Sequence, residues 1–178
     1  MTGPVLPPIQ RVVTGHDANG RACFKSEDVR EPQPIPTGDA NFLLLWTTET
    51  VPADNNDETD GRDRNVGTTL KGGSAFRIVD MLPGGESPFH RTNSIDYGIV
   101  LEGEVELELE DGRKKTVRKH GVIIQRGTNH LWRNNTDQIC RIAFILIEAP
   151  AYLHNGQPLE EYKPEAVDDR YSNGEPIS

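Results

Sequence analysis

Apolar and polar residues alternate along much of this sequence. The clearest stretch is 104–110, where Val105, Leu107 and Leu109 alternate with Glu104, Glu106, Glu108 and Glu110. That period of two places the leucines inside and the glutamates in water. Asp111-Gly112 supplies a hairpin turn. The return limb carries Arg113, Lys114, Lys115 and Arg118, set to face the glutamates across the ladder. Such opposed charges contribute roughly a few tenths of a kcal/mol per pair.

Other segments read the same way. Arg11–Gly15 and Arg21–Phe24 are strands flanking the turn-rich His16–Gly20, and Phe42–Thr48 is a short apolar strand. Three prolines within Glu31–Pro36 exclude a helix there. Val51–Arg64 is a polar loop whose acidic residues (Asp54, Asp57, Glu58, Asp60, Asp63) lack the spacing of a calcium loop, so it reads as solvated. Ala75–Met81 is a strand stopped by Pro83-Gly84-Gly85, and Ile139–Ile147 is apolar almost throughout, as in a fully buried strand. From Pro150 the chain turns polar, with Tyr152, Leu153, Leu159 and Tyr162 available to dock an arm on the body or on a second subunit; Asp168–Ser178 is expected to fray. No segment longer than about eight residues keeps a helical period. The fold class is all-β: a sandwich, jelly roll or small barrel.

Length and composition narrow this further. The chain has 178 residues, enough for one domain and short for two. Its mean hydropathy of −0.60 assigns much of it to surface and loop. A formal net charge of −9 excludes a nucleic-acid partner of the ordinary kind, which needs a basic stripe. Cys23 and Cys140 are too few for a disulfide framework, and Cys140, in an apolar run, reads as a buried thiol. Neither a signal peptide nor an apolar membrane span is visible, which predicts a cytoplasmic protein with no membrane partner.

Chemistry concentrates in one row. His90, Thr92, Ser94 and Asp96 occupy alternate positions and would share one face of a straight strand. Four polar groups pointing into a barrel are costly without a ligand, metal or water to satisfy them; the competing reading is a solvent-facing edge strand. A straight strand would also hold His90 and Asp96 about 20 Å apart. A single site can use both only if the chain breaks near Asn93-Ser94. His16, His120 and His154 have no such neighbours and read as surface residues.

Gly85–Thr92, followed by Asp96 and by Gly103, resembles the first motif of the cupins: a glycine, H-x-H, an acidic residue, then a glycine seven residues on. Gln125–His130, with Asn134 four residues later, resembles the second, P-x-G-x-x-H-x-x-x-N. The hairpin 104–120 has the length expected between them, and Tyr97–Gly103 matches the usual strand and turn. Arg11–Gly15, Trp46–Thr48 and Phe76–Asp80 are similar to the N-terminal part of a cupin subgroup with an H-R-T-x-S-x-D-Y signature. The resemblance implies a double-stranded β-helix, or jelly-roll barrel. It would form one cupin domain over 1–178, with its core at about 66–150, extra N-terminal strands in 1–65 and a C-terminal arm at 151–178.

Several positions depart from the pattern. Thr92 replaces the second histidine, Asp96 the usual glutamate and Gln125 the usual proline, and Lys119-His120-Gly121 stands where Gly-Asp is common. Carried over residue by residue, the resemblance implies a ligand set of His90, Asp96 and His130, competent for one divalent metal (Zn, Fe or Mn) with open positions. The alternative is a metal-free pocket in which the same three act as acid and base. Thr92, Ser94 and Gln125 would add neutral hydrogen bonds to substrate. Arg77 either pairs with a substrate carboxylate or lies on the surface, and Trp132 either lines the pocket or packs. Gly103, Gly127 and Asn134 read as framework.

Three functions stay open. The first is a lyase or isomerase acting by proton transfer (dehydration, decarboxylation or cyclisation) on an organic acid or polyketide-like molecule, as in accessory enzymes of secondary metabolism. The others are an Fe(II)-dependent oxygenase and a non-catalytic small-molecule binder. The two arms, with little of one barrel to pack on, predict a homodimer.

Overall fold

The computed structural model describes residues 5–162. It contains thirteen strands: β1 (Ile9–His16), β2 (Ala22–Arg30), β3 (Gln33–Pro34), β4 (Ala40–Thr48), β5 (Ser74–Met81), β6 (Ser94–Glu102), β7 (Glu104–Leu109), β8 (Lys114–Arg118), β9 (Val122–Arg126), β10 (His130–Arg133), β11 (Cys140–Glu148), β12 (Leu153–His154) and β13 (Gln157–Pro158). A single 3-10 turn, Gly61–Asp63, is the only helical element among the described residues. Six strands form a large antiparallel sheet in the order β3-β4-β5-β11-β6-β9, and a smaller sheet runs β10-β7-β8. The fold is all-β, as expected, with the two sheets packed against each other. Asp168–Ser178 lies outside the described residues.

The core lies between the sheets. Leu44, Val79, Val100 and Ile142 of the large sheet meet Val105 and Trp132 of the small one, all buried. Gly98, on the inner face of β6, is required by this packing: a Cβ there would stand 2.8 Å from the Phe144 ring. Gly103 makes the turn into β7 with φ of 75°, a region that favours glycine.

The large sheet also buries part of its outer face, because the β1–β2 hairpin lies across it. Leu43, Leu45, Ile78 and Ala143 form a second cluster there, with Ile9 packed against it. Arg11 of β1 anchors the hairpin: its guanidinium donates to both carboxylate oxygens of Asp28 (3.1 and 2.9 Å) and of Asp60 (2.7 and 2.8 Å). The acidic loop is therefore tied down through Asp60, and through an Arg64–Asp57 ion pair, rather than simply solvated. Beside the hairpin, Arg141 and Asp80 are directly opposed on β11 and β5 and form a buried bidentate pair at 2.6 and 2.7 Å. Arg141 donates a further bond to the Pro7 carbonyl at 2.6 Å.

The acidic strand differs in one respect from its sequence reading. Glu106 and Glu108 are half-buried, because Arg133 on the neighbouring β10 donates to both, at 2.6 and 3.0 Å, and Lys114 joins them. Arg118 pairs with Glu104 across the ladder, whereas Arg113 turns back to Asp111. The arm after Pro150 leaves Tyr152, Leu153 and Tyr162 exposed on the isolated chain. It attaches by polar contacts: Arg91 and Tyr162 exchange N–H···O bonds of 2.7 and 3.1 Å, and the Glu161 carboxylate accepts from the Asn93 N–H at 2.8 Å.

Truncating Asp80 leaves the Arg141 guanidinium buried without its carboxylate, which typically costs about 3–5 kcal/mol. Asp80→Ala is expected to lower the unfolding free energy by that much in urea titration; a loss below about 1 kcal/mol would refute the assignment.

Candidate active site

The chain turns where the row of polar residues requires it. Glu86 and His90 bridge to Arg133 and His130, so this segment runs beside β10 on the small sheet. Asn93 is a bend, and at Ser94 the chain enters β6 of the large sheet. His90 and Asp96 thus approach one cavity from opposite walls. The cavity, of about 140 Å³, is lined by His90, Thr92, Asp96, His130, Arg77 and Thr68, and by an apolar wall that includes Phe42, Val79, Met81, Trp132, Phe144 and Leu146. Pro36 and Thr37, both exposed, stand at its mouth.

The two imidazoles lie side by side, with ring centroids 4.3 Å apart. His130 also meets Trp132 edge-on at 5.3 Å, and Trp132 meets Phe144 at 5.5 Å, so aromatic contacts cross from the small sheet to the large. Nδ1 of His130 lies 2.9 Å from the Thr128 carbonyl, and Nδ1 of His90 lies 2.9 Å from the Pro88 carbonyl. A carbonyl only accepts, so each Nδ1 carries the hydrogen in these bonds. Burial, reinforced by the charge of His90, pulls the His130 pKa down to about 3. His130 is therefore neutral across the physiological range and presents the Nε2 lone pair.

Asp96 responds to the same burial in the opposite sense. Desolvation pushes its carboxyl up to about 6, against a hydrogen bond from Ser94 and the positive charge of Arg77. Ser94 and Thr92 hydroxyls are themselves 2.8 Å apart. Oδ1 of Asp96 is buried without a hydrogen-bond partner, an uncommon and costly condition for a carboxylate oxygen. Arg77 is buried rather than on the surface. Its Nη2 donates to the carbonyls of Gly67 and Thr68 at 2.6 and 3.0 Å, and its guanidinium lies 5.7 Å from the Phe42 ring centre.

The residues singled out in sequence do not all reach the cavity. His90, Asp96, His130, Thr92, Arg77 and Trp132 line it. Ser94 acts behind it, on Thr92 and Asp96. Gln125 is buried, and its amide bonds the Thr128 hydroxyl and carbonyl, which braces the turn that presents His130. Asn134 is framework: fully buried, it donates to the carbonyls of Met81 and Gln138 at 3.0 and 2.7 Å. The sequence reading passed over the apolar wall.

Although His90, Asp96 and His130 share the cavity, no group of three or more His, Cys, Asp or Glu among the described residues is arranged to hold a metal ion. Elsewhere, burial pushes the Cys140 thiol up to about 12, consistent with a packed, unreactive cysteine. No helix among the described residues is long and apolar enough to cross a membrane.

A barrel of this topology, with its polar residues at these positions, belongs to the cupins. Residues 77–147 match the family model described as "Cupin domain", and similarity to cupin relatives extends over most of the chain. It resembles, in particular, small proteins of fungal secondary-metabolite clusters. It is 38% identical to the phomopsin biosynthesis cluster protein C' of Diaporthe leptostromiformis, over 93% of this chain and 92% of that protein. It is 33% identical to the cupin-domain-containing oxidoreductase fogC of Aspergillus ruber, over 88% of this chain and 81% of the relative. Among solved structures, the Cnp3 cupin domain of Schizosaccharomyces pombe superposes with a TM-score of 0.50 at 16% identity, over 81% and 89% of the two chains. That likeness concerns the fold alone.

The opposite pKa shifts predict opposite contributions to stability. Asp96, raised in the fold, contributes stability that is present below its unfolded value of 3.8 and lost as pH rises through about 6. His130, lowered in the fold, contributes stability that is present above 6.5 and lost as pH falls towards 3. Asp96→Asn is therefore expected to match the parent below pH 4 and to exceed it above pH 6, by up to about 3 kcal/mol. Thermal unfolding of both proteins from pH 4 to 8 measures this, and a pH-independent difference would contradict it.

Proposed function

We propose that this cupin is a small-molecule enzyme that removes and returns a proton on a largely apolar organic substrate, a lyase or isomerase of secondary metabolism. The observation that carries this reading is the buried Asp96 carboxylate, whose Oδ1 has no hydrogen-bond partner and whose pKa is about 6, in a largely apolar cavity that also holds two imidazoles. A base poised just below neutral pH is ionised when needed and strong enough to accept a proton.

In this mechanism the apolar wall binds the carbon skeleton and excludes water. Asp96 takes a proton from a carbon next to a carbonyl. The C–H electron pair moves into the new C=C bond and onto the carbonyl oxygen, which the charge of Arg77 stabilises across the cavity. His130, neutral, accepts a hydrogen bond from a substrate hydroxyl through Nε2. Thr92 and Ser94 hold the carboxylate in place. Return of the proton from Asp96 to a different carbon isomerises the substrate; its return instead to a β-hydroxyl, as the C–O bond breaks and the C–O electron pair leaves with the oxygen, releases water and dehydrates it.

A second reading, oxidation, is favoured by the names of relatives from Aspergillus ruber and Neurospora crassa, which are called cupin-domain-containing oxidoreductases. It needs an electron acceptor, so oxygen uptake separates the two.

The probe is 2-tetralone, an aromatic ketone with an acidic C–H, in deuterated buffer containing EDTA. The protein is expected to accelerate deuterium exchange, with a rate that rises through pH 6 and then levels. Asp96→Asn should reduce it at least about 100-fold. No acceleration, or an unchanged rate in Asp96→Asn, rejects the proton-transfer reading and leaves the binder. Oxygen consumption with stoichiometric iron supports the oxidoreductase.

A further inference from the structure

The cavity presents hydrogen-bond acceptors, while its donors are largely engaged elsewhere. Both Nδ1 hydrogens of the imidazoles are directed at backbone carbonyls, those of Pro88 and Thr128. Arg77 commits Nη2 to the carbonyls of Gly67 and Thr68 and lies over the Phe42 ring. The Thr92 hydroxyl is shared with Ser94 at 2.8 Å. Two acceptors remain for a ligand: Oδ1 of Asp96, buried without a hydrogen-bond partner, and Nε2 of the neutral His130. A carboxylate or phosphate oxygen accepts and never donates, so neither atom can bond it.

The charges in the lining point the same way. Among the described residues, Arg77 is the only Lys or Arg there, against the two carboxylates Asp96 and Asp39. The charge of Arg77 already acts on Asp96. Asp39 stands at the mouth, half-buried beside Pro36 and Thr37 in the turn from β3 to β4. That turn holds it in place. The Thr37 hydroxyl donates to its carboxylate, and its own carbonyl accepts from the Leu82 N–H at 3.0 Å. Gly85 permits the close packing behind it, since a Cβ there would overlap the Asp39 carbonyl oxygen.

We infer, taking this cavity as the substrate site proposed above, that it accepts an uncharged hydroxy ketone and that Asp39 at its mouth excludes carboxylates and phosphate esters. An entering anion would pass Asp39, lose its water against the apolar wall and come to rest near Asp96. One guanidinium, already engaged, is all that would compensate it. Like charges several Å apart in a medium of intermediate dielectric weaken binding by roughly an order of magnitude or more. A hydroxy ketone meets none of these costs. Its hydroxyl donates to Nε2 of His130, its oxygen lies towards Arg77, and its acidic C–H faces Asp96. Selectivity then comes from repelling the wrong ligand as much as from attracting the right one. The substrate is taken as the free neutral compound, not as an acid or a phosphate-bearing thioester.

The test compares 4'-hydroxyacetophenone with 4-hydroxybenzoate, in which a charged oxygen replaces the methyl group. Dissociation constants at neutral pH are read from the indole N–H signal of Trp132, in the cavity wall, on the full chain as purified. The ketone is expected to bind at least about tenfold more tightly than the carboxylate. Asp39→Asn should narrow that ratio at least about threefold and Asp39→Lys at least about tenfold, and salt at about 0.5 M should reduce the narrowing. Neither compound need react, so the order of affinities is scored apart from deuterium exchange into 2-tetralone. A protein that keeps this order without exchanging deuterium supports the selectivity and rejects only proton transfer. Three results overturn the inference: a carboxylate bound as tightly as the ketone, no ketone binding at about 20 mM, or a ratio unmoved in well-folded Asp39 variants.

Discussion

Between His90 and Ser94 the backbone leaves one wall of the barrel and joins the other. His90 exchanges both of its ladder bonds with His130, at 2.9 and 3.0 Å, whereas Ser94 is already paired with Glu148 at the end of β11. The three residues between them carry the bend. The Asn93 amide, freed from either ladder, is taken up by Glu161 of the C-terminal arm at 2.8 Å, and Arg91 is bridged to Tyr162. The arm thus satisfies backbone groups that the crossing would otherwise leave unpaired. Without this crossing the alternating polar residues would lie along one strand, and no small molecule would touch both ends of the row.

The crossing also fixes the electrostatics. It places a carboxylate and two imidazoles where the surrounding surface is mainly hydrocarbon, and burial disfavours the charged form of each kind of group. The same cause therefore raises an acid and lowers a base. Asp96 and His130 are driven towards each other's range and past it, to about 6 and about 3. The carboxylate becomes the stronger base of the two, reversing their order in water. Arg77 limits the shift at Asp96 and keeps that group near the useful range. Sequence alone does not predict this inversion, since it depends on the depth of each side chain rather than on its identity.

How much was legible follows from how each residue is constrained. The bend at Asn93 could be deduced because chain length forbids the alternative. The β7–β8 hairpin was legible because one face of it is wet. Arg77 was not, and the reason lies in β5. Ala75, Arg77, Val79 and Met81 face the interior, while Phe76, Ile78 and Asp80 face the β1–β2 hairpin. With both faces buried, the period of two disappears and no residue announces its side. The apolar cavity wall was hidden for the same reason, since Val79, Phe144 and Leu146 come from such strands. Gln125 shows a different limit: its inward direction was readable, but not that its amide would be used up on Thr128 before reaching the cavity.

Thr92 stands where the resemblance to other cupins calls for a second histidine, and its neighbours explain what the exchange does. The Thr92 hydroxyl meets Ser94, and Ser94 bonds Asp96, so a short line of hydroxyls ends on the carboxylate. Three aligned side chains on alternate positions make this line possible, and an imidazole at the first of them would replace a neutral donor with a bulky ligand. A hydroxyl line orients one carboxylate oxygen and leaves Oδ1 without a protein partner. An orphaned, buried acceptor costs stability, and under the proposed function that cost is offset when a molecule carrying a suitable proton enters. Under the proposed function, the row that resembles a cupin metal site holds the Asp96 carboxylate as a base.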